Sequence, residues 1–339
     1  MMMKRKSGYT VGGLFSGVGG IELGFINQGF DVLWSNDIDL AASQTFKSNF
    51  DHKHILLDIH QLNGKDLAPV DVLVGGFPCQ AFSVAGYRKG FKDERGNLFF
   101  QILRLIEELK SKPSVVLLEN VKNFSTHDDG KTFRVVRESL EEIGYCVFSG
   151  VLNTCKYTRI PQNRERTFMI CFLEGRDAML DQDSVMSQTF KSLFPPSSMG
   201  KPDKIQSYLE NGPVDEKFYY GPDKYMYQEL LEGIKSSDTV YQWRRLYVRE
   251  NKNKLCPTLT ANMGTGGHNV PLIKDSLGFR KLTPRECFNL QGFPSYFVLP
   301  STIATSQLYK QAGNSVTVTL IERIADCIKQ SLQRGKRLN

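Results

Sequence analysis

Residues 70–83 read VDVLVGGFPCQAFS, and the rest of the chain is read outward from them. Residues 70–74 are a largely apolar, β-branched run of strand length. Gly75 and Gly76 are expected to end that strand, because glycine takes backbone angles that other residues resist. Cys79 then falls on a loop at the mouth of a buried strand, where an open α/β sheet binds its ligands. A lone cysteine is ordinarily a small buried hydrophobe. Here the glycine exit, the rigid Pro78 and the polar Gln80 and Ser83 describe an exposed loop, where a thiol is available for chemistry.

On either side the chain alternates strand and helix patterns. Strands are expected over residues 9–15, 31–34, 55–57, 115–118, 146–152 and 167–172, and helices over 21–27, 40–49, 97–110 and 133–143. Regular alternation implies an α/β fold with a doubly wound, mainly parallel sheet. From about residue 174 the pattern dissolves into polar sequence broken by prolines, an irregular second region. Regular structure returns in an amphipathic helix over 317–330, with a frayed tail after Leu332.

A chain of 339 residues exceeds the size at which one core stops growing, so a large and a smaller domain are expected. The seven cysteines form no C-x-x-C pair, which argues against a zinc ribbon or disulfide framework, and no metal site is expected. No apolar run approaches a membrane span, and residues 1–6 lead into a strand rather than a signal-peptide core, so a cytoplasmic protein without a membrane partner is expected. The net charge of +7 is compatible with a polyanionic partner without establishing one.

Further residues can carry chemistry. The glycine turn Phe15-Ser16-Gly17-Val18-Gly19-Gly20 follows the first strand and lets a cofactor approach backbone N–H groups. The third glycine of a dinucleotide fingerprint is replaced by Glu22, which favours a nucleoside without a pyrophosphate. Asp37 ends the second strand, placed for ribose hydroxyls. Asp58 could accept from an adenine amino group with Ile38 against the ring, or could simply cap a helix. Glu119 and Asn120 end the strand over 115–118 at the sheet edge that carries Cys79, where a desolvated carboxyl can hold a proton near neutral pH. In Gln162-Asn163-Arg164-Glu165-Arg166, one guanidinium can enter a site while the other is anchored. Gln311-Ala312-Gly313-Asn314 reads as a turn opening the last helix. Residues 241–271 interleave Arg244, Arg245 and Arg249 with aromatics, a combination suited to phosphates and bases or to a solvated face.

Taken together, FSGVGG (15–20), GGFPCQAFS (75–83), ENV (119–121), QNRER (162–166), RKLTPREC with LQGFP (280–294) and QAGNSV (311–316) resemble the DNA (cytosine-5) methyltransferases of bacterial restriction-modification systems. The resemblance spans nearly the whole chain. It implies a Rossmann-like S-adenosylmethionine-dependent fold, with a catalytic domain over 1–172 and 303–339 and a DNA target-recognition domain over 173–302. It implies methyl transfer to C5 of a flipped cytosine in a short duplex site, with Cys79 as nucleophile, Glu119 at N3, Arg164 at O2, and Arg166 and Asn120 beside them. S-adenosylmethionine would meet Phe15, Ser16, Gly17, Gly19, Gly20, Asp37, Ile38, Asp58, Ile59, Pro78 and Asn314. Double-stranded DNA would meet Gln80, Ser83, Arg95, Arg244, Arg245, Arg249, Thr260 and Asn262, with part of 83–95 closing over the base. A monomer is expected, with a cognate restriction endonuclease acting on the same site. Gly13 and Ile38 depart from the family pattern, which usually has an acidic residue at the first position and in some members an aromatic at the second. An RNA cytosine methyltransferase would share much of the catalytic set, but the basic and aromatic second region favours duplex DNA.

Overall fold

The computed structural model describes residues 7–78, 98–173, 194–197, 200–224, 227–244, 247–265 and 270–338. Strands β1 (Thr10–Leu14), β2 (Asp31–Asp37), β3 (Lys53–Leu56), β4 (Val72–Gly76), β5 (Val115–Val121), β6 (Tyr145–Asn153) and β8 (Glu165–Leu173) build a seven-stranded sheet. The short β7 (Gln162–Asn163) lies outside it. The order is β3-β2-β1-β4-β5-β8-β6. Pairing is parallel from β3 to β5, while β8 runs antiparallel to both neighbours. Helices α1 (Gly20–Asn27), α2 (Leu40–Lys47), α3 (Leu98–Glu108) and α4 (Lys131–Glu142) make the crossovers.

The central strands are apolar throughout because they are buried on both faces. Val72 and Val74 enter one core with Phe25, Ile321 and Ile324, and Leu73 enters the other with Phe99, Ile102 and Leu140. Gly75 and Gly76 do not end β4 as expected. They continue it without positive φ, paired to Leu118 and Glu119. Glycine at position 76 serves close approach instead, since a Cβ there would lie 3.1 Å from Glu119 Oε2. Likewise Glu119 and Asn120 lie inside β5 rather than beyond it.

The second region is ordered around a four-stranded antiparallel sheet of β10 (Tyr247–Glu250), β9 (Tyr241–Arg244), β12 (Leu272–Lys274) and β13 (Phe279–Lys281). A short β11 (Cys256–Pro257) pairs with β7. The short helix α5 (Thr154–Tyr157) follows β6 in the first region, and α6 (Tyr227–Gly233) and α7 (Pro284–Asn289) complete the second. Arg280 is held by both carboxylate oxygens of Glu286 at 2.7 Å and by Asp275 at 2.6 Å, so its buried charge is fully paired. A third core joins Val18, Leu23 and Ala42 of the first region to Leu259, Phe288 and Leu290 of the second. The two regions therefore meet beside the glycine turn.

Gln311–Asn314 does not open the last helix. It forms the final turn of α8 (Thr305–Asn314), ahead of α9 (Val318–Leu338). The backbone of α9 stays helical beyond Leu332, against the frayed tail expected. This long helix returns to pack on α1, where a Cβ on Gly24 would lie 2.6 Å from Ile321 Cγ2 and 3.1 Å from the Glu322 backbone nitrogen. Gly24→Leu should therefore force the two helices apart and cost about 1–3 kcal/mol. Equilibrium urea unfolding checks this, and Gly24→Ala should cost less.

Candidate active site

A cavity of about 340 Å³ opens at the carboxyl ends of β1, β2, β4 and β5, a volume suited to a small-molecule ligand. The glycine turn forms one wall. Phe15, Gly17 and Gly19 adopt φ of 54°, 53° and 86°, so the turn needs glycine where the chain reverses. It is tied to β2 by Ser16 N–H on the Asn36 carbonyl at 3.0 Å and Gly17 N–H on Asp37 Oδ2 at 2.7 Å. Asp37 also accepts from Asp39 N–H at 2.7 Å, and burial pushes its carboxyl up from the usual range. Opposite, α8 is clasped to α2 by Lys310 on Asp39 at 2.6 Å and Thr45 Oγ1 donating to Gln311 Oε1 at 2.9 Å.

Two buried polar atoms of the cavity lining, Ser16 Oγ and Gln311 Nε2, have no protein partner. Buried polar atoms without partners are rare, and these two suit a ligand with both donors and acceptors. Of the expected cofactor contacts, Phe15, Ser16, Gly17, Gly20, Asp37, Pro78 and Asn314 line the cavity. Gly19 stands just behind, where a Cβ would strike Phe50 at 2.3 Å. Ile38 is exposed just past the end of β2 and is not among the residues lining the cavity. Asp58 and Ile59 are not brought in. Asp58 caps the turn Ile59–Gln61, accepting from His60 N–H at 2.9 Å and pairing with its ring at 2.7 Å, while Ile59 is buried in the core under α3.

The facing wall is built from β4, β5 and β8. Glu119 Oε1 lies 3.1 Å from Arg166 Nε, and both side chains are largely shielded from water. Burial pushes the Glu119 carboxyl up, against the pull of Arg166 and Arg164. Asn120 donates to the Phe77 carbonyl at 2.9 Å and accepts from Val121 N–H at 2.8 Å, fixing the chain just before Pro78. Cys79, Gln80, Ser83, Arg95 and the closing loop expected over 83–95 lie outside the described residues, as does Arg245.

Arg164 requires a correction. Its guanidinium donates to the carbonyls of Leu259 at 2.7 Å and Gly313 at 3.0 Å, and also to that of Ser315. Its terminal nitrogens are thus spent on three carbonyls from two segments, and the arginine that faces Glu119 is Arg166. Spacing alone could not separate the two, because residues two apart on an extended chain point the same way. Arg244 and Arg249 share an exposed face of the β9–β10 hairpin, both donating to Gln242 Oε1. Thr260 and Asn262 are bonded to each other at 2.8 Å. They sit beside the cavity wall, where a Cβ on Gly313 would lie 2.2 Å from the Thr260 carbonyl carbon. Sequence reasoning missed Asp39, Lys310 and Gln242, and it named Gln311 only within a motif. Asp39 and Lys310 adjoin singled-out residues, which was the available signal.

A parallel sheet with one antiparallel strand next to its edge, a glycine turn after β1 and an acidic group at the end of β2 define a Rossmann-like, S-adenosylmethionine-dependent methyltransferase fold. The family model described as C-5 cytosine-specific DNA methylase matches residues 9–330, and the chain belongs to this family, as a DNA (cytosine-5) methyltransferase of restriction-modification type. It is 50% identical over 328 residues to the Type II methyltransferase M.Bsp6I of Bacillus sp. (strain RFL6), covering 95% of this chain and 99% of that one. It is 37% identical over 346 residues to the Type II methyltransferase M.HhaI of Haemophilus parahaemolyticus, covering 97% of each. Among solved structures, the S. pombe Dnmt2 methyltransferase superposes with a TM-score of 0.73 at 20% identity, over 96% of this chain and 99% of that one, a likeness of fold.

The two arginines should separate experimentally. Arg164→Met strands three carbonyls and should cost about 2–5 kcal/mol, seen as a fall in the urea midpoint. Arg166→Met should cost clearly less stability while removing most methyl transfer.

Proposed function

We propose that this enzyme moves a methyl group from S-adenosylmethionine to C5 of a cytosine flipped out of a specific duplex site, through a covalent bond between Cys79 and C6. The observation that carries this reading is the buried Glu119–Arg166 pair, set at the end of β5 beside Pro78 and open to the cavity. Cytosine C5 is a poor nucleophile until a group adds at C6. The Cys79 thiolate adds there, while Glu119 gives a proton to N3 and Arg166 supplies positive charge for O2. A carboxyl held above its usual range by burial suits that proton transfer. C5 then takes the methyl group, and loss of the C5 proton expels the thiolate. Bound S-adenosylmethionine would supply the electrophilic methyl group. Asp37, Ser16, Gln311 and the backbone of the glycine turn are the residues that would hold it.

Because C6 is inaccessible within a duplex, the base must leave the stack, at a cost of a few kcal/mol. Residues 173–302 would select the site and 303–339 would complete the catalytic domain, with Arg244, Arg249, Thr260 and Asn262 among the contacts to DNA. Arg and Gln on one exposed hairpin face are chemically suited to guanine and adenine edges. Methylation at that site would shield it from a companion endonuclease.

Asp37→Ala should weaken S-adenosylmethionine binding measured by calorimetry while leaving duplex binding unchanged in the absence of cofactor. For the covalent step, a duplex carrying 5-fluorocytosine should trap the enzyme, since fluorine at C5 blocks the final elimination. With S-adenosylmethionine the wild type should give a denaturant-stable adduct that maps to Cys79, Cys79→Ser should give none, and Glu119→Gln should form it more slowly. An adduct at any other cysteine would overturn the mechanism.

A further inference from the structure

Glu22 plays no part in the reaction just described, yet it is buried against the glycine turn with only 1% of its surface exposed. It reaches from α1 into the space that a side chain on Gly13 would need. A Cβ at Gly13 would lie 2.1 Å from Glu22 Oε1 and 2.9 Å from Ser16 Oγ. Two oxygens, one from the helix and one from the cavity-lining turn, therefore converge over a glycine. Glu22 Oε2 and Ser16 Oγ are both buried without a well-formed hydrogen bond, although the Ser16 hydroxyl is close enough to pull the carboxyl down.

Glu22 Oε1 does have a partner, Ser35 Oγ at 3.3 Å, and Ser35 Oγ is also 3.0 Å from His52 Nε2. A serine hydroxyl has one proton to donate, so this chain has two settings. With Glu22 ionised, Ser35 donates to it and accepts from His52 Nε2–H. With Glu22 neutral, the carboxyl donates to Ser35, which donates to a bare Nε2. His52 packs against Phe46 and Phe50 and is only partly buried, so it connects the buried acid to solvent.

We propose that Glu22 is a positioning residue for the cofactor-binding turn, its carboxylate taking the Ser16 hydroxyl as a donor once the cofactor binds. The displaced proton passes from the Glu22 carboxyl to Ser35 Oγ as the Ser35 proton passes to His52 Nε2, and His52 releases it to water. The inference rests on the assignment of S-adenosylmethionine to the cavity. That cofactor carries a net positive charge, which favours an ionised carboxylate behind the turn. Without it, burial pushes Glu22 up to about 7, aided by the facing Asp37 and opposed by Ser16 and Ser35. The charged neighbours of His52 are Asp31, Asp51 and, across His54, Lys47. A raised carboxyl is neutral below that value, so cofactor affinity should increase as pH rises through it, with a proton released on binding.

Calorimetric titration of the full chain with S-adenosylmethionine from about pH 6 to about pH 8, in two buffers of different ionisation enthalpy, reads both effects. Wild type should gain up to about tenfold in affinity for each unit its carboxyl shifts on binding, with buffer-dependent heat near neutrality. Glu22→Gln should bind more weakly at the upper end and lose both the pH dependence and the proton release. Ser35→Ala keeps the carboxyl but removes a donor that lowers its pKa, so the midpoint of the binding profile should move upward. Wild-type affinity, profile and proton release in Glu22→Gln would overturn the proposal, as would an unmoved midpoint in Ser35→Ala. Failure of the wild type to bind S-adenosylmethionine would overturn the cofactor assignment beneath it.

Discussion

The fold depends on one buried guanidinium. Arg164 joins the carbonyl of Leu259, in the second region, to those of Gly313 and Ser315, where α8 gives way to α9. These segments are far apart in sequence and meet between the two regions. A buried charge without partners is prohibitive, so the site exists only when both backbone segments are in place. That requirement couples closure of the C-terminal return to assembly of the cavity wall. Gly313 serves the same junction, since any side chain there would strike the backbone at Thr260.

With that brace set, the second arginine is available for chemistry. Arg166 and Glu119 lie across the β5–β8 pairing, where the antiparallel β8 brings its early residues beside the end of β5. Partial burial works on the pair in two directions. It raises the cost of ionising Glu119, and it strengthens the pull of the cation that favours ionisation. The balance raises the carboxyl from its ordinary value. Gly76 is part of this arrangement because a larger residue on β4 would crowd the carboxylate.

The glycine-turn wall of the cavity follows a different principle. Its polar groups are mostly backbone amides and carboxylates already tied to one another, as in Gly17 N–H on Asp37 and Lys310 on Asp39. Such bonds preorganise the turn, which reduces the ordering cost of binding. Gln311 belongs to both systems, clasping α2 through Thr45 while it lines the cavity with its buried amide nitrogen unpartnered. A ligand there would complete bonds that the protein leaves open.

The sequence by itself determined the sheet, because hydrophobic runs are local signals, although Gly75, Gly76, Glu119 and Asn120 proved to lie within the strands they were expected to end. It also placed Glu119, Asn120 and Asp37 at one edge, since β-α alternation fixes which strand ends share a face. The second region was less legible: its sheet pairs β9 with β12 across intervening turns, and short strands carry too few residues to show a period. Tertiary structure alone decided which of Arg164 and Arg166 is the brace, because that depends on carbonyls about 95 and 150 residues away. It likewise made Asp58 a cap, Ile59 a core residue and Gly76 a point of close approach. In each case the residue type permits either role, and the choice falls to whichever atoms the fold packs within hydrogen-bonding or van der Waals distance.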